Sequence, residues 1–157
     1  MQEASIYEQM NTVLIDTFRI ILKMEEQLVK SNGNMNLSIS ELHLIEAVGI
    51  NNQIGRTISE LAEALDIALS SVTVAVNKLE KKGYVEKRRG EKDARTVFVT
   101  LTSRGQKVEH LHSAFHKKMV RSITEDLSDH DQTAMLEGLI KLNDFFKKKL
   151  LQKGENR

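Results

Sequence analysis

The stretch from Thr57 to Arg89, "TISELAEALDIALSSVTVAVNKLEKKGYVEKRR", constrains the fold more than any other part of the chain. Thr57 with Glu60 fits a reciprocal capping box, in which the hydroxyl accepts an orphan N–H of the first turn and the carboxylate reaches back to the cap. It opens a short helix, "ISELAEAL", Ile58 to Leu65. "LDIA" is a tight break, and a second helix follows from about Leu69 to Lys82, ended by Gly83. In it Leu69, Val72, Val76 and Leu79 recur at spacings of three and four, which predicts that they face the core and hold this helix against its predecessor. Two short helices joined so tightly read as a helix-turn-helix over 57–83.

The opposite face of the second helix presents Ser70, Ser71, Thr73, Val74, Asn77 and Lys78. A merely solvated face would be filled with Glu, Lys and Gln. Here short hydroxyls permit close approach, Asn can bond a base edge bidentately, and Thr or Val methyls can touch a thymine methyl. Next come "YVEKRR" and "TVFVTLT", two β-rich runs around a charged tip, which predict a hairpin over 84–102. Beside a helix in the major groove, such a wing can reach the minor groove. Arg88, Arg89, Lys92 and Arg95 become candidate phosphate and minor-groove contacts. Asp93, two residues before Arg95, is read as the partner that orients its guanidinium; its other reading is an ordinary turn residue.

A net charge of +1 hides an asymmetry: residues 1–50 carry 3 Lys/Arg against 7 Asp/Glu, whereas residues 78–95 carry 8 against 4. A local basic segment suits a polyanion, since phosphate neutralisation supplies most nonspecific nucleic-acid affinity. Charge alone fits a solvated helix end and turn equally well. The 157 residues suffice for one ordinary core, and 40% apolar, 29% charged and 4% aromatic residues without proline describe a soluble, helix-rich chain. The expectation is a single domain over 1–157, mainly α with a small β-hairpin wing. No run approaches the roughly 20 apolar residues of a membrane span, and the N-terminus lacks a secretion signal, so a cytoplasmic place without membrane partner is expected. Without cysteine there is no disulfide, thiolate nucleophile or cysteine-held zinc. No Gly-rich phosphate loop or Ser/His/Asp grouping suggests an enzyme or a cofactor.

From Ile6 to Leu28 apolar residues recur at helical spacing, and Ile15, Phe18, Ile20 and Leu22 widen the stripe beyond one face. A helix from a second copy is its simplest cover. "SNGN", Ser31 to Asn34, ends this helix, and Ser38 with Glu41 caps another. Val108, Leu111, Phe115, Met119, Ile123 and Leu127 form a further long stripe; Ser128, Asp129 and Asp131 start a last helix whose far end carries Lys147, Lys148 and Lys149, matching its dipole. His112 and His116, one turn apart, with Glu109 one turn earlier, raise the alternative of a regulatory zinc site.

The order of long helix, short helix, "TISELAEALDIALSSVTVAVNKLEKKGYVEKRRGEKDARTVFVTLTSRG" and two long helices resembles the MarR family of dimeric winged-helix transcription regulators over nearly the whole chain. Asp93-x-Arg95 followed by "VFVTLTSRG" is the most specific part. The resemblance implies a homodimer built by helices in 1–30 and 103–150, a winged-helix DNA-binding region over 37–102, and a double-stranded DNA operator of near-palindromic form. "DTFRIILKMEE", "LSISELHLIEAVG" and "HSAFHKKMV" are further similar to the branch of that family that represses fatty-acid biosynthesis genes in Gram-positive bacteria. That likeness implies an acyl chain on acyl carrier protein as corepressor, with Phe18, Leu22, Phe115 and Met119 as candidate pocket lining; plain dimer core is the other reading of those four. Some relatives in the family sense zinc, so response to another small ligand or to zinc stays open. A helical protein-interaction module is the reading outside DNA binding.

Overall fold

The computed structural model describes residues 5–31, 35–51, 53–90 and 96–154. The elements are α1 (Ile6–Ser31), α2 (Ile39–Gly49), β1 (Arg56–Thr57), α3 (Ile58–Leu65), α4 (Leu69–Lys81), β2 (Val85–Arg89), β3 (Val97–Leu101), α5 (Ser103–Thr124) and α6 (Asp129–Gly154). Contacts divide the chain into two compact units, Met1–Ser113 and Ala114–Arg157. Among the described residues no helix is long and apolar enough to cross a membrane.

In the first unit both predicted capping boxes form. Glu41 N–H donates to Ser38 Oγ (3.3 Å) while Ser38 N–H donates to Glu41 Oε2 (2.8 Å), and Thr57 and Glu60 repeat the exchange at 3.2 and 2.6 Å. The break after α3 turns on Asp66, which adopts the left-handed conformation (φ 51°) that a short polar side chain tolerates. Its N–H closes onto the Ala62 and Glu63 carbonyls. Gly83 (φ 77°) ends α4: its N–H bonds the Glu80 carbonyl and that of Tyr84 bonds Leu79, the paired closure that requires a left-handed residue.

The core lies around α2, where Leu42, Leu44, Ile45, Ala47 and Val48 are buried. Leu61 of α3, Val72, Val76 and Leu79 of α4, Tyr84 and Val85 at β2, Val99 and Leu101 of β3, and Val108 of α5 complete it. Each large side chain so buried contributes about 1.5–3 kcal/mol. α5 enters the unit by close approach: a Cβ at Gly105 would stand 2.1 Å from the Tyr84 carbonyl oxygen.

Two details of this unit differ from the sequence expectation. The hairpin is part of a three-stranded antiparallel sheet in the order β1-β3-β2, with Arg56 opposite Val99 and Thr57 opposite Phe98. A two-residue strand shows no alternation, so only its partner reveals it. Leu69, expected in the core, is 53% exposed. It is the first residue of α4, and helical side chains tilt toward the N-terminus, so it projects past the end of the helix.

The second unit holds the last turns of α5 and the whole of α6. Ser128 Oγ accepts from Asp131 N–H (3.2 Å) and donates to its carboxylate (2.6 Å), and Gln132 Nε2 donates to the Thr124 and Leu127 carbonyls, closing the end of α5. Leu127, expected to continue the α5 stripe, therefore lies in the connecting turn.

Candidate nucleic-acid interface

α4 is held from behind by Val72, Val76 and Leu79, each fully buried. The 3.6-residue period then turns Ser70, Ser71, Thr73, Val74, Asn77 and Lys78 outward, and all six are exposed. Val74 is 65% exposed, an apolar side chain held in the open among small polar ones. Thr73 Oγ1 donates to the Leu69 carbonyl (2.8 Å), which leaves its methyl group and the oxygen's two lone pairs for any ligand. This is a narrow, convex face of the kind that enters a major groove and can meet base edges.

β2 and β3 pair from Val85 opposite Leu101 to Arg89 opposite Val97, and Gly90 N–H to the Thr96 carbonyl (2.8 Å) closes the described end of the wing. Alternation sends Val85 and Lys87 to one face of the ribbon and Glu86 and Arg88 to the other. Arg88 donates to the Glu86 carboxylate through Nε (2.9 Å) and Nη2. Its guanidinium is thus directed by an acidic neighbour, the arrangement that the sequence suggests for Arg95. Arg89 is exposed. Lys92, Asp93 and Arg95 lie outside the described residues.

Lys82, which lies in the basic segment, serves the scaffold instead, as do Arg56 and Arg104 outside it. Lys82 Nζ donates to both Glu41 carboxylate oxygens (2.8 Å each) and to the Asn36 carbonyl (2.7 Å), joining the C-terminus of α4 to the start of α2. Burial pushes the Glu41 carboxyl up, but the Lys82 hydrogen bond, the Ser38 N–H and the charges of Lys82 and Lys78 together hold it below the ordinary carboxylate value. Arg104 donates to the Lys82 carbonyl (3.0 Å) with its guanidinium 4.4 Å from the Tyr84 ring centroid. Arg56 donates to the Ala47 and Glu60 carbonyls (3.0 and 3.1 Å). Lys87, missed as a functional residue from sequence, donates to Asn77 Oδ1 and Glu80 Oε2 (2.8 Å), a strut from the wing to the outward helix face. No spacing in the sequence signals it, because the two ends are joined only by the hairpin fold.

A second polar cluster sits away from this face. His112, 1% exposed, places Nε2 3.2 Å from Glu25 Oε1 and Nδ1 3.6 Å from Glu46 Oε2; His43 Nε2 lies 3.3 Å from Glu25 Oε2. Burial raises the Glu25 carboxyl, and the contacts with His112 and His43 more than offset that, leaving it below the ordinary value. The carboxylates facing His112 are therefore Glu25 and Glu46, while Glu109, expected one turn before it, lies 3.6 Å from His110. Helix spacing alone favoured Glu109; the packing of α1 supplies a residue 87 positions away. Of the candidate pocket residues, Phe18 and Leu22 are exposed one turn apart on α1, and Phe115 and Met119 are half-buried one turn apart on α5, with Phe115 edge-on to His116.

A buried helix pair presenting α4, flanked by a three-stranded sheet and wing, defines a winged-helix DNA-binding protein. Residues 35–96 match the MarR family profile. The chain is 34% identical over 106 residues to the uncharacterized HTH-type transcriptional regulator YfiV of Bacillus subtilis, covering 67% of this chain and 66%, just under two thirds, of that one. It is 31% identical over 119 residues to the HTH-type transcriptional regulator BilQ of Clostridium symbiosum, covering 73% of this chain and 77% of BilQ. Streptococcus pneumoniae FabT, solved in complex with DNA, superposes with a TM-score of 0.84 at 34% identity, over 90% of this chain and 98% of FabT. The chain belongs to the MarR family and is a DNA-binding transcription regulator rather than an enzyme.

Proposed function

We propose that this protein is a homodimeric, sequence-specific repressor of fatty-acid biosynthesis genes, acting in the cytoplasm and tightened on its operator by an acyl chain delivered on acyl carrier protein. The observation that carries the DNA-reading part is the outward set on α4, six exposed residues of base-contacting type on a helix whose other face is fully buried. The likeness to FabT, a protein solved with DNA bound, supports the same use here. Exposed Ile6, Met10, Val13 and Leu22 on α1 supply apolar surface for a second copy. Two recognition helices then lie roughly 34 Å apart, one DNA turn, and the operator is a near-palindrome. The fatty-acid role rests on the similarity of the segments at Asp16–Glu26, Leu37–Gly49 and His112–Val120 to that branch of the family, with Phe18, Leu22, Phe115 and Met119 as the acyl contacts.

Mapping of genomic binding sites tests the regulon: sites at fatty-acid synthesis promoters support the reading, and their absence removes it. A mobility-shift assay with long-chain acyl carrier protein tests the ligand, the expected result being tighter operator binding. Unchanged affinity removes the acyl reading and leaves the family untouched.

A second reading is favoured by the buried Glu25 and His112 with His43 beside them: carboxylate and imidazole donors of this kind suit zinc. Zinc titration of metal-stripped protein, with Glu25→Gln as control, tests it. Less than one zinc per chain after gentle purification, and no change of operator affinity on zinc addition, would eliminate this reading.

A further inference from the structure

Asn77 is the residue on α4 best equipped to read a base pair, and the structure shows one half of its amide already engaged. Lys87 Nζ donates to Asn77 Oδ1 and, at 2.8 Å, to Glu80 Oε2. Asn77 and Glu80 stand three residues apart on one helix face, so together they form a two-pronged seat for the ammonium. Lys87 is kept in it by the ladder, since Val85 on the same side of β2 is buried and Lys87 is paired opposite Val99. The Lys87 side chain is 28% exposed, so the bond is partly shielded from water.

Because an ammonium only donates, it is the oxygen of the Asn77 amide that turns toward Lys87 and gives it one of its two lone pairs, with the NH₂ group at the other end of the amide. Bidentate reading of adenine needs both ends of the amide, the oxygen accepting from N6 and the nitrogen donating to N7. Guanine offers acceptors at both O6 and N7 and asks only for donors. We infer that Lys87 is a specificity-determining residue: by drawing Asn77 Oδ1 toward the wing and occupying one of its lone pairs, it biases Asn77 toward donating and so toward guanine over adenine in the operator. The inference rests on α4 being the base-contacting helix, and it assigns Lys87 a task other than phosphate contact, although it lies in the basic segment.

The experiment measures operator affinity for duplexes carrying each of the four base pairs at every position of one half-site, for the wild type and for Lys87→Met, Lys87→Arg, Asn77→Ala and the Lys87→Met/Asn77→Ala double variant. Wild type is expected to favour guanine over adenine at one position. Lys87→Met, which keeps the side-chain length and loses the donor, should shift that ratio toward adenine by about tenfold at that position alone. Lys87→Arg should keep the wild-type ratio, and the shift should vanish in the Asn77→Ala background. A uniform loss of affinity across all duplexes with Lys87→Met, accompanied by a shallower salt dependence, would make Lys87 a phosphate contact and overturn the inference while the regulator reading stands. An unchanged ratio overturns it likewise. Failure of the wild type to bind any duplex at low salt removes the regulator reading and the inference with it.

Discussion

Asn77 and Glu41 show how much a single side chain carries here. Replacing Asn77 with alanine costs one bond of the Lys87 strut, whose Glu80 bond remains, so stability should fall little while affinity for the preferred operator falls by about 1–3 kcal/mol and binding to random DNA barely changes. Fluorescence anisotropy on specific and random duplexes checks this, and equal losses on both would deny Asn77 its base contact. Glu41 acts on the scaffold. Its carboxyl is held below the ordinary value of 4.5, so the stability it supplies is complete above about pH 5 and is lost as pH falls through the lowered folded value. Denaturant unfolding between pH 7 and 3 should show stability declining over that acidic window. Glu41→Gln should flatten part of the decline and lower stability at neutral pH, because Lys82 loses both its carboxylate bonds. An unaltered pH slope in the variant would place the acid sensitivity elsewhere. The outward residues of α4 were legible in the sequence because a 3.6-residue period assigns faces once the buried one is known. The partners of Lys82, Lys87 and Arg56 were not, since each bond joins elements that come together only in the fold.

At the scale of elements, α3, α4 and the hairpin follow from local signals: the Thr57/Glu60 capping box, the break at "LDIA", the glycine after α4 and two β-rich runs around a charged tip. Local signals also place the start of α6 at Ser128. They say little about how α5 meets the sheet, and there Gly105 decides. Gly105→Ala puts a methyl group where the Tyr84 carbonyl oxygen stands, so α5 must lift from the hairpin base. We expect a stability loss of about 1–3 kcal/mol, the usual cost of overpacking, read as a lowered denaturant midpoint. Gly138→Ala in α6, where a Cβ would meet nothing within 4 Å, is the matching control and should be neutral or slightly stabilising. A Gly105→Ala protein as stable as the control would mean that α5 does not depend on this close approach. β1 escaped the sequence reading for the opposite reason: its two residues carry no pattern, and they are a strand only because β3 lies beside them.

For the molecule as a whole, the exposed apolar residues of α1 imply that one chain is half of the working unit. Met10→Glu with Val13→Glu puts two carboxylates, one turn apart, on that face. The double variant should sediment as a monomer, keep its helix content, and protect a single half-site in footprinting. Retention of the dimer with both charges present would move the interface away from α1. Operator binding by the wild type should weaken steeply as salt rises, as expected where Lys and Arg displace counterions from phosphate.

The sequence by itself determined the helix-turn-helix, the wing, the family and the outward face of α4, because caps, turn residues and hydrophobic period are local properties of the chain. Only the tertiary structure decided which charges work inside the protein and which remain at its surface. Lys82 meets Glu41, His112 meets Glu25 and Lys87 meets Asn77 across separations that no spacing rule spans. The energy of such pairs depends on distance and burial, and both are set by packing rather than by order along the chain.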